Sequence, residues 1–372
     1  MSSLPSARLG IPLEEIDTPA LIVDLDALEG NIARMAQAME KSPARLRPHA
    51  KSHKCAEIAK RQIAAGAVGV CAQKVSEAEA LVAGGVADVL VTNEIVGAQK
   101  VARLARLARE AKVAVLADDA RNVAELDAAA RAGRTRLDVL VEIDVGAHRC
   151  GIEPGAPAAA LAKRVADCKN LRFAGLHAYH GAAQHLRSAS GRRDAIAAAA
   201  EHALLTKTMI EKSGIGCETV SGAGTGTFLL EGASRVFNEI QPGSYVFMDA
   251  DYNRNEWERD WPRFEQSLFV LATVMSVPAA DRAVVDAGLK ASSVDSGMPQ
   301  VYERPGVEYA KASDEHGVLR ITNGVKAPAL GEKLLLVPGH CDPTVNLYDW
   351  LVGLRKGKVE ALWPITARGA VV

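Results

Sequence analysis

The chain has 372 residues, 48% of them hydrophobic, with 44 Lys and Arg against 45 Asp and Glu. That length accommodates two domains, or one barrel with a substantial appendage, and the composition supports a large core. The near-zero net charge argues against a nucleic-acid or membrane-surface partner, since both favour a basic excess.

Six cysteines, Cys55, Cys71, Cys150, Cys168, Cys217 and Cys341, are dispersed with no C-x-x-C pair. This is the pattern of a reduced cytosolic protein rather than of a disulfide framework or a structural zinc site. Met1 to Gly10 carries no apolar targeting segment, and no apolar run approaches the length of a membrane span. A soluble, cytoplasmic protein is expected.

After a polar lead, residues 18–25 read as a strand, with Asp26 as N-cap of a helix over 27–39. Short apolar runs then alternate with Ala/Leu-rich segments of helical period. The runs predict strands over 46–50, 69–73, 88–92, 113–117, 138–143, 173–179, 219–222 and 239–247. Helices are predicted over 55–65, 76–83, 98–111, 120–132, 156–168 and 192–212. Eight strands in βα alternation are the count for a closed (β/α)8 TIM-type barrel. The weak link is 228–234, which offers little helix before the last strand. Beyond 247 come short strand-like runs over 269–276, 282–286, 307–312, 317–321, 333–337, 349–355 and 358–364. Gly, Pro and Asp separate them, and no long helix intervenes, which reads as a mostly antiparallel β domain. The expected division is a barrel over 26–247 and a β domain over 248–372, joined by residues 1–25.

The chemistry-bearing residues fall at the predicted strand ends, where barrels place their sites. The first such stretch is Leu46-Arg47-Pro48-His49-Ala50-Lys51-Ser52-His53-Lys54. Lys51, crowded by Arg47, His49, His53 and Lys54, has reason to lose its proton. Like charges and desolvation lower an ammonium pKa, and only the neutral amine attacks a carbonyl to form a Schiff base. The plain alternative is a solvated basic loop. After the seventh run, Ser221-Gly222-Ala223-Gly224-Thr225-Gly226-Thr227 offers backbone amides, and the hydroxyls of Thr225 and Thr227, to an anion. The dinucleotide spacing of a strand-borne acid is missing, so a Rossmann reading fails. A lysine at one strand end and a phosphate cradle at another suggest pyridoxal phosphate. In Gly339-His340-Cys341-Asp342-Pro343, an extended backbone turns His340 and Asp342 to one side, where they could hold one divalent cation such as manganese, magnesium or zinc.

Several of these stretches occur together in one family. They include Arg47-Pro48-His49-Ala50-Lys51, Cys71-Ala72-Gln73-Lys74-Val75-Ser76-Glu77-Ala78 and Glu142-Ile143-Asp144-Val145-Gly146 with Arg149-Cys150-Gly151. Ala178-Tyr179-His180-Gly181, Gln241-Pro242-Gly243-Ser244-Tyr245, Val285-Asp286-Ala287-Gly288-Leu289-Lys290 and His340-Cys341-Asp342-Pro343-Thr344 belong with them. Together they resemble the D-threonine aldolase and 3-hydroxy-D-aspartate aldolase group of the alanine-racemase-like, fold type III pyridoxal phosphate enzymes. The resemblance runs from about Asp17 to the C-terminus.

It implies that Lys51 bonds the cofactor's aldehyde and that Arg149 lies against the pyridine nitrogen. It further implies Gln73 and Tyr179 as cofactor contacts, and Gly222, Gly224, Thr225 and Gly226 as the phosphate cradle. His340 and Asp342 would be the metal ligands, and His185 the base that takes the substrate's hydroxyl proton. The implied reaction is retro-aldol cleavage of a D-3-hydroxy amino acid of the D-threonine type to glycine and an aldehyde, by a homodimer. Cleavage of 3-hydroxy-D-aspartate to glycine and glyoxylate is the nearest alternative. Related D-serine and D-3-hydroxyaspartate dehydratases carry His-x-Cys at the metal position. Here the third residue is Asp342 and the cysteine falls one residue early, which favours the aldolase. A racemase of this fold would need a tyrosine base, for which Tyr302, Tyr309 and Tyr348 are available, but would leave the H-x-D pair unexplained. A non-catalytic cofactor carrier would lack the second domain. His53, His148, His177, His202 and His316 are assigned to structure.

Overall fold

The structure, a computed structural model, describes residues 4–372. Strand β1 (Ala20–Asp24) leads directly into a helix over Leu25–Glu40. Asp24, rather than the expected Asp26, caps that helix, its side chain accepting from the Ala27 amide at 3.0 Å. Asp26 lies in the first helical turn, where its charge favours the helix dipole.

The parallel strands follow: β2 (Arg45–Leu46), β3 (Val70–Ala72), β4 (Asp88–Glu94), β5 (Lys112–Ala117), β6 (Leu137–Glu142), β7 (Leu171–His177), β8 (Thr219–Gly222) and β9 (Glu239–Ile240). They pair in the order β2-β9-β8-β7-β6-β5-β4-β3, every pair parallel. The ends of this sheet meet: the Val68 amide donates to the Leu46 carbonyl at 2.9 Å and the Cys71 amide to that of Pro48 at 2.8 Å. Unbroken apolar runs were a correct signal of strands here because both faces are covered. Val89, Val91, Val115, Val139 and Val141 pack into the core shared with the helices. Leu90, Leu116 and Leu140, the alternate residues, fill a separate interior cluster with Cys71 and Ala174.

Three local expectations change. The first and last barrel strands are two residues each. The first run stops at Pro48, and residues Ala50–Ser52 turn into a 3-10 helix. The last stops at Pro242-Gly243, after which Ser244–Val246 is again 3-10; proline has no amide for a ladder. In the weak segment, Phe228–Ala233 is a helix. It is held by tertiary contact: Phe228 is buried against Trp261 and Phe264.

The second sheet contains β10 (Leu268–Ala279), β11 (Arg282–Val285), β12 (Gln300–Val301), β13 (Val307–Ala312), β14 (Gly317–Ile321), β15 (Lys333–Val337), β16 (Trp350–Arg355) and β17 (Lys358–Pro364). Its order is β13-β14-β11-β10-β1-β16-β17, with β15 joining β10 to β12. All its pairs are antiparallel except β1 with β16. β1 is therefore an interior strand of the β domain, and the chain leaves that sheet to build the barrel before returning to complete it. Among the described residues no helix is long and apolar enough to cross a membrane.

Candidate active site

Lys51 sits in the 3-10 turn immediately after the first barrel strand. The cations that crowd it in sequence go elsewhere. Arg47 pairs with Asp88 at 2.7 Å and Glu239 at 3.1 Å, and Lys54 with Glu77 at 2.9 Å. His53 is buried; its Nδ1 accepts from the Cys55 amide and its Nε2 meets Gln62, and burial lowers its pKa to about 4. Lys51 Nζ instead lies 2.8 Å from Asp342 Oδ2. The expected depression of the Lys51 pKa is therefore overturned: the Asp342 carboxylate outweighs desolvation and raises it. Burial pushes Asp342 upward, but Lys51 and then His340 hold it well below the usual carboxylate range.

Asp342 reaches the barrel because the segment after β15 is pinned to the end of the barrel segment. The Ala250 amide donates to the Pro338 carbonyl at 3.0 Å, and buried Asp249 accepts from the Cys341 amide at 2.9 Å. His340 is an extended N-cap residue and Cys341–Val345 is a short helix. His340 and Asp342 thus share one side through a helix start, rather than through the strand alternation expected. Cys341 is buried, its thiol 3.3 Å from Asp342 Oδ1.

A cavity of about 510 Å³ opens at these strand ends. Of the residues selected from sequence, Lys51, Gln73, Arg149, Tyr179, His185, Gly224, Thr225, His340 and Asp342 line it, whereas Gly222 and Gly226 do not. The Gly226 amide is spent on Gln184 Oε1 at 2.9 Å. Thr227 Oγ1 donates to buried Glu231 at 2.7 Å and so is not the free donor expected, whereas Thr225 Oγ1 accepts from the Tyr245 amide at 3.1 Å and keeps its own O–H to give. Ala223 and the Gly243-Ser244 pair, which sequence reasoning missed, complete that end of the wall. Backbone forms the surface there: a Cβ on Gly224 would meet the Gln184 side chain at 2.6 Å, and one on Gly243 the His49 carbonyl at 2.8 Å.

The floor is polar. His49 Nε2 lies 2.8 Å from Thr92 Oγ1 and 3.2 Å from Gln73 Oε1, and the Lys51 amide donates to its Nδ1 at 3.3 Å. Burial, with Lys51 beside it, lowers the His49 pKa well below its ordinary value. His177, assigned to structure from sequence, also lines the cavity, with Nε2 3.2 Å from Gln241. Arg149 stands over the Tyr179 ring, its guanidinium carbon 5.8 Å from the ring centre.

Two imidazoles share one device. His185 Nδ1 meets Asp251 Oδ2 at 2.6 Å, and His340 Nδ1 meets Asp295 Oδ2 at 2.8 Å. A carboxylate at Nδ1 keeps the proton there and leaves Nε2 as the available lone pair. Burial opposes, but Asp342 and Asp295 raise the His340 pKa overall. Asp251 is itself held by Arg187 and Arg254. Sequence offered no signal for Asp251 or Asp295, which lie 66 and 45 positions from their histidines. Among the described residues no group of three or more His, Cys, Asp or Glu gathers as a metal site.

A parallel barrel with a lysine at one strand end, facing a backbone-lined wall and an appended β sheet, defines a class. Residues 23–251 match the alanine racemase N-terminal domain, and residues 267–354 a serine dehydratase-type domain. The chain belongs to the alanine racemase-like family. It is 48% identical over 366 residues to the D-threonine aldolase of Arthrobacter sp, covering 98% of this chain and 96% of that protein. It is 49% identical over 366 residues to the 3-hydroxy-D-aspartate aldolase of Paracoccus denitrificans strain Pd 1222, covering 97% and 94%. The crystal structure of D-threonine aldolase from Filomicrobium marinum superposes with a TM-score of 0.97 at 51% identity, covering 99% of this chain and 100% of that one.

Proposed function

We propose that the protein is a carbon–carbon lyase that cleaves D-3-hydroxy amino acids of the D-threonine type to glycine and an aldehyde, using pyridoxal phosphate and a divalent cation. The observation that carries this reading is the convergence of Lys51, the glycine-lined wall, His185 and the His340/Asp342 pair on one cavity. Near full-length identity to aldolases supports it.

The residues present fit both groups. An amine at one end of the cavity and a wall of backbone at the other suit the aldehyde and phosphate ends of the cofactor, with Lys51 holding the first and Ala223, Gly224, Thr225, Gly243 and Ser244 the second. Bound there, pyridoxal phosphate supplies a ring that accepts the electron pair released at Cα. Arg149 and Tyr179 flank the space between these ends. His340 Nε2 and Asp342 are a nitrogen–carboxylate donor pair suited to manganese, magnesium or zinc, whose chemistry is to polarise the substrate's hydroxyl oxygen.

His185 is the base in this reading, taking the hydroxyl proton at Nε2 while Asp251 fixes the ring. Lys51 holds a proton against Asp342 and is placed to return one to the product. The same reading takes the protein as cytoplasmic, supported by six free cysteines, and as a homodimer, on the family resemblance.

The test uses protein reconstituted with pyridoxal phosphate, given D-threonine with manganese or with a chelator. Manganese-dependent glycine and acetaldehyde are expected; ammonia with 2-oxobutanoate would replace the aldolase by a dehydratase. A second reading, 3-hydroxy-D-aspartate cleavage, is supported by the 49% identity to the 3-hydroxy-D-aspartate aldolase of Paracoccus denitrificans. Glyoxylate release from that substrate, compared by kcat/KM with acetaldehyde release, decides between them.

A further inference from the structure

His185 closes the 3-10 turn Ala182–His185 after β7, whereas His340 and Asp342 follow β15 in the β domain. A base and a metal pair that act on one hydroxyl group need a held separation. Each imidazole leans on its own carboxylate, Asp251 for His185 and Asp295 for His340, and those two carboxylates are themselves joined through Arg254. Nη2 of Arg254 donates to Asp251 Oδ1 and, at 2.9 Å, to the Ser296 carbonyl. That nitrogen carries two hydrogens, one for each acceptor. The Ser296 hydroxyl in turn donates to Asp295 Oδ2 at 3.1 Å and lies 3.4 Å from His340 Nδ1. Backbone packing tightens the same junction. A Cβ on Gly339, the residue before His340, would meet the Gly297 carbonyl at 2.0 Å, and one on Gly297 would meet Arg254 Nη1 at 3.2 Å. Arg187 also holds Asp251, at Oδ1 (2.5 Å) and at its carbonyl (2.7 Å), but its other bond goes to Asn255 Oδ1 on the base side.

We propose that Arg254 is a positioning residue that registers the base His185 against the His340/Asp342 pair, one guanidinium nitrogen holding both the carboxylate behind the first and the loop behind the second. The consequence for the reaction rests on the aldolase reading, but the linkage is a property of the protein alone. The Asp251 side chain is only 5% exposed, so its pairing with Arg254 is screened less than a surface ion pair. The Arg254 side chain is 44% exposed, so shortening it leaves the core untouched. The two segments also stay together without it. Buried Asp249, at the start of the short helix Ala250–Asn253, accepts from the Tyr252 and Cys341 amides, each at 2.9 Å. Losing Arg254 therefore frees the orientation of the two imidazoles rather than the docking of the segments that carry them.

Arg254→Met and Arg187→Met separate this role from general support, since both keep the aliphatic stem and lose the donors. Histidine ring-nitrogen NMR shifts, read through the carbon-bound ring protons of protein without cofactor or metal, report on each imidazole once His185→Gln and His340→Gln have assigned them. Arg254→Met should shift the signals of His185 and His340 together, and Arg187→Met those of His185 alone. A His340 signal that stays in place in Arg254→Met, or moves as far in Arg187→Met, would overturn the proposal. In protein reconstituted with pyridoxal phosphate, equilibrium dialysis should show manganese affinity about tenfold weaker in Arg254→Met, the low end for losing an outer partner, and within about twofold of the parent in Arg187→Met. Glycine release should show kcat lowered in both, with KM within about twofold. Manganese held equally tightly by the parent and Arg254→Met would also overturn the proposal. A parent that binds no manganese, with the NMR pattern as expected, would defeat the metal reading and leave the linkage between the imidazoles standing.

Discussion

Lys51 and Asp342, 291 positions apart in the chain, meet at 2.8 Å across the junction of the barrel and the β sheet. One carboxylate therefore faces both the reactive amine and the imidazole of His340. Asp342→Asn removes the charge from both. Reconstituted protein should still bind pyridoxal phosphate through Lys51. Aldehyde release should drop at least about a hundredfold, the scale of losing a Lewis acid, and equilibrium dialysis should show manganese lost. Undiminished cleavage with retained manganese would remove Asp342 from the metal site.

Lys51→Ala tests the other partner. The visible absorbance of protein-bound cofactor should vanish while the fold persists, since the Lys51 side chain is 41% exposed and lines the cavity rather than the core. An unchanged spectrum would show that a different group holds the aldehyde.

Asp251 contributes to the reaction through His185. Asp251→Asn leaves a hydrogen-bonding group of the same shape but lets the imidazole choose its tautomer. We expect kcat to fall about tenfold or more while KM changes little, and His185→Ala to fall further, by about a hundredfold or more. Cofactor absorbance should be unaffected in both. Equal loss from both substitutions, with cofactor binding also weakened, would indicate collapse of the loop that Arg187, Arg254 and Asp251 hold together.

The barrel was legible because its strands are covered on both faces, so their apolar runs are unbroken. Helix Phe228–Ala233 was not, because six residues containing a glycine carry no period and their stability comes from Trp261 and Phe264 far along the chain. The short final strand was overread because apolar content continues past Pro242-Gly243 while the ladder cannot. At the site, residue types were legible and their electrostatics were not. Local sequence put cations around Lys51, but folding assigned each its own acid and brought in Asp342. Within the glycine-rich stretch, Gly226 looks free in sequence until Gln184 is seen against it, whereas Gly224 and Thr225 do line the cavity.

Glu231 makes stability depend on pH in a direction opposite to most carboxylates. It is 1% exposed; Oε1 accepts from the Thr227 hydroxyl, while Oε2 is buried without a partner. Burial raises its carboxyl to about 7, above the ordinary 4.5 it regains on unfolding. Between those values the folded state binds a proton that the unfolded state does not. Its stabilising contribution is therefore fully present below about pH 4.5 and is lost as pH rises through about 7. The difference of roughly two to three pH units corresponds to about 3 kcal/mol. Glu231→Gln keeps the neutral shape at every pH. In denaturant unfolding the variant should gain about 3 kcal/mol on the parent between pH 4.5 and pH 8, whatever its stability at the lower pH. Parallel stability curves for the two proteins would mean that Glu231 is already ionised in the folded state, with an unseen donor at Oε2.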